Sequence, residues 1–356
     1  MGLDYGTTFT SVSYYAHDVD DENRTAFPNE IKSIINWPED GMAGMRRQVP
    51  TEIWYSAIPR DRPSRVDPLE CSDGEEDRDD LGNGGAAAAG PSATTQRQSD
   101  DNLDPMQDSN ESNIYLWGYD VPYQRYQANT DRDEGRLVER PKLMLVNSKH
   151  TKDDKERLRP RLDHLIETGI IRKHGKNVSD VRDVQDVITD FLIEVFKHTV
   201  QQLVENEKFT QDSFVSFVLT VPVIWAPRSS RVLQDAMEAT IEATRFGTLG
   251  YGSVDNLFII TKPEAAATFF LGSSHDMLVS MLLQHCLTAD SFPKAGETFM
   301  VLDCGGGTVD GVTYTVTNGY PVRLKTEVGR PTDKSTSPSR STLIVSRRQL
   351  RLQLSQ

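Results

Sequence analysis

The stretch Phe299-Met300-Val301-Leu302-Asp303-Cys304-Gly305-Gly306-Gly307-Thr308-Val309-Asp310, continuing through Gly311-Val312-Thr313-Tyr314-Thr315-Val316, decides the fold. Phe299 to Leu302 is a short apolar run of the kind that forms a buried strand, and the β-branched and aromatic residues after Thr308 make an outgoing strand. Between them stand three consecutive glycines. Glycine at a strand exit costs stability unless backbone must approach something closely, so Gly305, Gly306 and Gly307 suggest a turn whose N–H groups face a ligand. The unit is a hairpin with an acid, Asp303, closing its first strand.

The same construction stands near the other end: Leu3-Asp4, the turn Tyr5-Gly6-Thr7-Thr8, then Phe9-Thr10-Ser11-Val12-Ser13-Tyr14-Tyr15. Taken alone, Asp4-x-Gly6-Thr7-Thr8 also suits an ordinary hairpin turn. Two strand–Asp–turn units facing each other suit a nucleoside triphosphate. Turn N–H groups converge on phosphate oxygens and Thr hydroxyls add donors, while an Asp at a strand end can orient water around hydrated Mg²⁺, which prefers oxygen ligands. Such a site works by positioning and charge neutralisation. The chain contains no G-x-x-x-x-G-K-[ST], which excludes a P-loop.

Outward from these hairpins the pattern alternates strands and helices. Short strand-like pieces lie at Ile31 to Trp37 and Thr51 to Tyr55, and Ile114 to Tyr119 is a strand expected to pair with Thr51 to Tyr55. From Val184 to Leu203 the apolar residues recur at helical spacing, with Asp183, Asp186 and Asp190 expected on the solvent side. Phe214 to Val221 and Leu257 to Ile260 are expected as buried strands, Ser229 to Ala243 as a helix opened by serine, and Pro263 as a first-turn residue of another helix.

Composition bounds the remaining possibilities. The 356 residues carry 39 basic and 53 acidic side chains, a net charge of -14 that argues against a nucleic-acid partner. Residues 60–111 alone hold five basic and fourteen acidic residues, so the low-complexity stretch 59–113 is expected to be a disordered acidic insertion. Cys71, Cys286 and Cys304 form no pairable framework, and only the adjacent His285 and Cys286 juxtapose metal-type ligands. No apolar run approaches the roughly 20 residues that span a bilayer, and Met1 to Asp4 lacks a targeting pattern. No membrane partner is expected, and the expected location is cytoplasmic.

Four motifs in order carry a family resemblance. Asp4-Tyr5-Gly6-Thr7-Thr8-Phe9-Thr10 resembles the first phosphate loop of the heat shock protein 70 family, and Asp303 through Asp310 resembles the second. Leu219-Thr220-Val221-Pro222 is similar to the family's T-V-P strand end, and Lys262-Pro263-Glu264-Ala265-Ala266-Ala267 to its E-P-x-A-A-A linker. Ile224-Trp225 after the T-V-P segment, together with the acidic insertion, is closer to the divergent heat shock protein 70-like proteins of filamentous fungi than to the general chaperones.

The resemblance implies an α/β, actin-like ATPase (ribonuclease H-like) fold: lobe I over 1–245, the first part of lobe II over 246–332, and a disordered, non-family basic tail over 333–356. It implies ATP or ADP with Mg²⁺ as cofactors, and cochaperones or client proteins as partners. Asp4 and Asp303 would hold the metal through water and orient the attacking water; Gly6, Thr7, Thr8, Gly305, Gly306, Gly307 and Thr308 would hold phosphates, Asp310 would support the second loop, and Lys142 would reach the γ-phosphate.

The chain departs from the family at Lys262, where a glutamate usually stands. It also departs in its short first strand and in the absence of an adenine-side Gly-rich turn, so a truncated lobe II is expected. The expected function is ATP binding and hydrolysis by a chaperone-like nucleotide-binding domain. The alternatives are a catalytically inactive nucleotide-sensing module and, with no sugar-site signature in support, a small-molecule kinase.

Overall fold

In the computed structural model, residues 1–17, 29–41, 46–55, 115–127, 136–146, 148–177, 180–210, 212–223, 225–247, 256–269, 295–304, 309–317, 324–327 and 342–345 are described. The expected insertion 59–113 lies outside them.

The chain opens with strands β1 (Gly2–Asp4) and β2 (Phe9–Tyr14), an antiparallel hairpin with Leu3 opposite Val12 and Asp4 opposite Ser11. Leu3, Tyr5 and Val12 of the hairpin are buried, whereas Phe9 is exposed. β3 (Lys32–Ser33) and β4 (Val49–Pro50) both pair with β2. β5 (Glu52–Tyr55), β6 (Tyr115–Trp117) and β7 (Leu137–Glu139) form a separate sheet in the order β6-β5-β7. The expected pairing across the insertion therefore holds, with Tyr55 opposite Tyr115; closing a long loop costs entropy that grows only slowly with length.

Helices α1 (Asp120–Gln127), α2 (Lys152–Glu167) and α3 (Gln185–Glu207) follow, then β8 (Phe217–Val221), α4 (Pro227–Thr244) and β9 (Leu257–Thr261). The main sheet runs β3-β2-β1-β8-β9, antiparallel across β3, β2 and β1 and parallel across β1, β8 and β9. β9 matches β8 residue for residue, from Phe217 against Leu257 to Val221 against Thr261.

One core joins this sheet to the helices, with Phe196 stacked on Phe217 at 5.8 Å and Phe246 edge-on to both. Fully burying each such side chain contributes about 1.5–3 kcal/mol.

Three expectations give way here. Asp183, Asp186 and Asp190 are buried, not on a solvent face. Burial is tolerable because each is paired or hydrogen-bonded: Asp183 by Lys173 at 2.5 Å, Arg159 at 2.9 Å and the Gly175 N–H at 2.9 Å, Asp186 by Arg172 and His174 at 2.8 Å, and Asp190 by the Tyr55 hydroxyl at 2.8 Å. The strand expected from Phe214 begins at Phe217, leaving Phe214 exposed. β9, expected as a buried strand, pairs only with β8 among the described residues, and its Phe258 and Ile259 are exposed.

After β9 comes helix α5, residues 262–269. A second sheet holds β10 (Thr298–Cys304), β11 (Val309–Val316), β12 (Leu324–Glu327) and β13 (Thr342–Val345) in the order β12-β11-β10-β13. β10 and β11 are antiparallel, β11 and β12 antiparallel, β10 and β13 parallel. The order repeats that of β3-β2-β1-β8. The run Thr342-Leu343-Ile344-Val345, rich in β-branched residues, adds a strand beside Phe299 to Leu302. No helix among the described residues is long and apolar enough to cross a membrane.

Candidate functional site

The site begins at the tip of the first hairpin. Asp4 closes β1, and the chain then reverses through Tyr5-Gly6-Thr7-Thr8. Gly6 is required there by space, since a Cβ would run into the Phe9 carbonyl oxygen, a backbone atom that cannot swing aside. The far side of the turn is pinned by the Thr51 N–H, which donates to the Thr8 carbonyl at 2.9 Å, and by the Thr10 and Thr51 hydroxyls, 2.9 Å apart. Thr7 is buried and Thr8 half-buried. The Tyr5 ring points into the core, edge-on to Phe191 at 6.2 Å, and burial pushes its phenol pKa up.

Lys142 is brought to this turn. It sits in a short 3-10 helix, Pro141–Leu145, all five of whose residues are buried. Pro141 fixes the first φ of that turn, and the Ser229 hydroxyl of α4 donates to the Leu145 carbonyl at 2.6 Å, tying the segment to the main core. Ser229 thus does not open α4 as expected; the helix starts at Pro227 after Ala226. The Lys142 Nζ donates to the Tyr5 carbonyl at 2.5 Å and lies 5.2 Å from the centre of the Trp225 ring. At 3 % exposure this is a buried cation beside the loop, not a surface lysine.

Lys262, at the start of the segment after β9, reaches the same turn and forms an ion pair with the Asp4 carboxylate. Its position follows from local sequence. In Thr261-Lys262-Pro263-Glu264, the Thr261 hydroxyl accepts from the Glu264 N–H at 3.3 Å, and the Thr261 N–H faces the Glu264 carboxylate at 3.5 Å, the reciprocal arrangement of a capping box. Further along α5, Ala267 is buried in the second core with Phe299, Val301, Val312, Tyr314 and Val316. α5 therefore runs from the Asp4 carboxylate to the second sheet.

In that sheet Asp303 is half-buried and stands opposite Asp310 in the β10–β11 register, the place that Asp4 and Ser11 hold in the first hairpin. Gly305, Gly306, Gly307 and Thr308 lie outside the described residues; for Asp310 the strand pairing is described.

The first turn thus gathers Asp4, Gly6, Thr7, Thr8, Lys142 and Lys262. Reading the sequence missed the Asp4–Lys262 pair and the support of Lys142 by Trp225 and Ser229. A divalent metal on Asp4 does not fit the arrangement as it stands, because an ammonium already occupies the carboxylate and would repel a dication. No group of three or more His, Cys, Asp or Glu among the described residues could hold a metal ion.

Comparison with protein-family models finds no match, and comparison with curated proteins finds none either.

Proposed function

We propose that this chain is a nucleotide-binding core of the actin-like ATPase type, related to the heat shock protein 70 family, and that the turn Tyr5 to Thr8 receives the phosphates of ATP or ADP. The observation that carries this reading is the repeated strand order, β3-β2-β1-β8 and β12-β11-β10-β13, with an aspartate at the end of β1 and one residue before the end of β10. A duplicated sheet with paired acid-and-turn units is the arrangement that the resemblance implies. Lys142 supports it further, since a buried ammonium beside Gly6, Thr7 and Thr8 adds to Lys262, which offsets the Asp4 charge, and favours an anionic ligand.

In this reading Gly6 lets the backbone approach the phosphates, Thr7 and Thr8 supply donors, and Lys142 supplies charge. The chemistry that Mg²⁺ lends to such sites is neutralisation of phosphate charge and orientation of water. The Asp4–Lys262 ion pair favours the second reading, a module that binds nucleotide without turning it over. Isothermal titration of the purified chain with ATP, alongside phosphate release, tests both. Binding without release selects the second reading, binding with release selects an ATPase, and no binding removes both.

A further inference from the structure

We infer that Lys262 serves as this protein's built-in cation, standing where a divalent metal would and letting nucleotide phosphates bind without one. This rests on the nucleotide reading above and adds the identity of the counter-charge. The Lys262 side chain is only 14 % exposed and that of Asp4 26 %, so the pair is sheltered and not a loose surface bridge.

The ammonium is also held in place by its surroundings. Lys262 opens α5 immediately after Thr261, which is paired in strand register with Val221. Pro263 stiffens the first turn, the Thr261–Glu264 box closes it, and Ala267 anchors the helix in the second core. Displacing the ammonium from Asp4 means extending the side chain elsewhere or moving the helix.

Two consequences follow for charge. A dication placed on Asp4 sits within a few ångströms of a fixed positive charge, which at protein-surface dielectric weakens it by at least about a hundredfold. An ammonium, by contrast, carries three N–H donors, more than one carboxylate oxygen uses, and the others are suited to phosphate oxygens. Lys142 on the Tyr5 carbonyl supplies a second positive charge at the same turn. Asp4 then acts as the positioning residue for Lys262 and not as an anchor for metal-bound water.

The test is calorimetric titration of the full chain with ATP in EDTA and again in excess MgCl2, for wild type, Lys262→Gln and Lys262→Glu, with urea midpoints to check folding. The wild type should bind ATP with affinities that agree within about threefold in the two buffers, a difference of about 0.65 kcal/mol. A larger gain from Mg²⁺ overturns the proposal while leaving the nucleotide reading intact. Lys262→Gln should lose at least about tenfold in EDTA; unchanged binding overturns the proposal. Lys262→Glu should bind only with Mg²⁺ present. If wild type binds in neither buffer, both this proposal and the nucleotide reading fail. The wild-type comparison needs no variant, so it stands even where a substitution unfolds the chain.

Discussion

Replacing Lys142 with methionine keeps the length and apolar stem of the side chain and removes its charge, which separates a structural role from a binding one. Burial of an ammonium costs several kcal/mol after relaxation. The interactions that offset it include a charge-assisted hydrogen bond to the Tyr5 carbonyl, worth about 1.5–3 kcal/mol, and the contact with the Trp225 ring, worth about 2 kcal/mol when desolvated. The two sides nearly cancel, so Lys142→Met should change unfolding free energy by less than about 2 kcal/mol in either direction. Binding should respond differently. A unit charge about 5 Å from a phosphate at an effective dielectric of 20 contributes about 3 kcal/mol, on the order of a hundredfold in nucleotide affinity. Urea unfolding and ATP titration on one preparation measure both quantities. A loss of more than about 3 kcal/mol in stability with unchanged ATP affinity would refute the reasoning and make Lys142 a structural cation.

Gly6→Ala forces a Cβ against the Phe9 carbonyl, so the turn must open; stability should fall by about 1–3 kcal/mol in urea unfolding, with ATP binding lost. Asp183→Ala leaves the buried Gly175 N–H without its acceptor, while Arg159 keeps its pair with Asp163, and should cost about 1–3 kcal/mol. Lys173→Ala takes one charged donor from the buried Asp183 and leaves Arg159 and the Gly175 N–H in place, so it should cost about 1.5–3 kcal/mol. Burial opposes ionisation of Asp183, but Lys173, the Gly175 N–H and Arg159 outweigh it and hold its carboxyl below the usual range. The unfolded carboxyl therefore takes up protons first, and the stability that Asp183 contributes is present above about pH 4 and lost as pH falls further. Acid unfolding of Asp183→Asn followed by circular dichroism should show a flatter limb below about pH 4 than that of the wild type.

The strands and helices that face one core were legible in the sequence because their apolar residues repeat with a single period. The hairpin at Leu3 to Tyr14 and helix α3 are of this kind. The buried aspartates were not legible, because periodicity places Asp183, Asp186 and Asp190 on one stripe without saying whether water or Arg159, Arg172 and Lys173 covers it. Likewise, β9 has the composition of a buried strand, yet its Phe258 is exposed, and composition does not say whether a sheet face is covered. At the site, Asp4 and Gly6 could be singled out by the strand–Asp–turn pattern, and Lys142 only through the family resemblance. The meeting of Lys262 with Asp4 could not, since 258 positions separate them and only the β1-β8-β9 order brings them together. What could be read at position 262 was a cation in place of an expected acid.

The measurement that bears most directly on the phosphate-binding turn is calorimetric titration of the chain with ATP, ADP, AMP and adenosine in turn. Binding energy concentrated on phosphates predicts that ATP and ADP bind, that affinity falls by at least about tenfold as the β-phosphate is removed, and that adenosine is weakest. Adenosine binding as tightly as ATP, or no binding of ATP at about 1 mM, where even a weak complex of about -4 kcal/mol is half-formed, would contradict it.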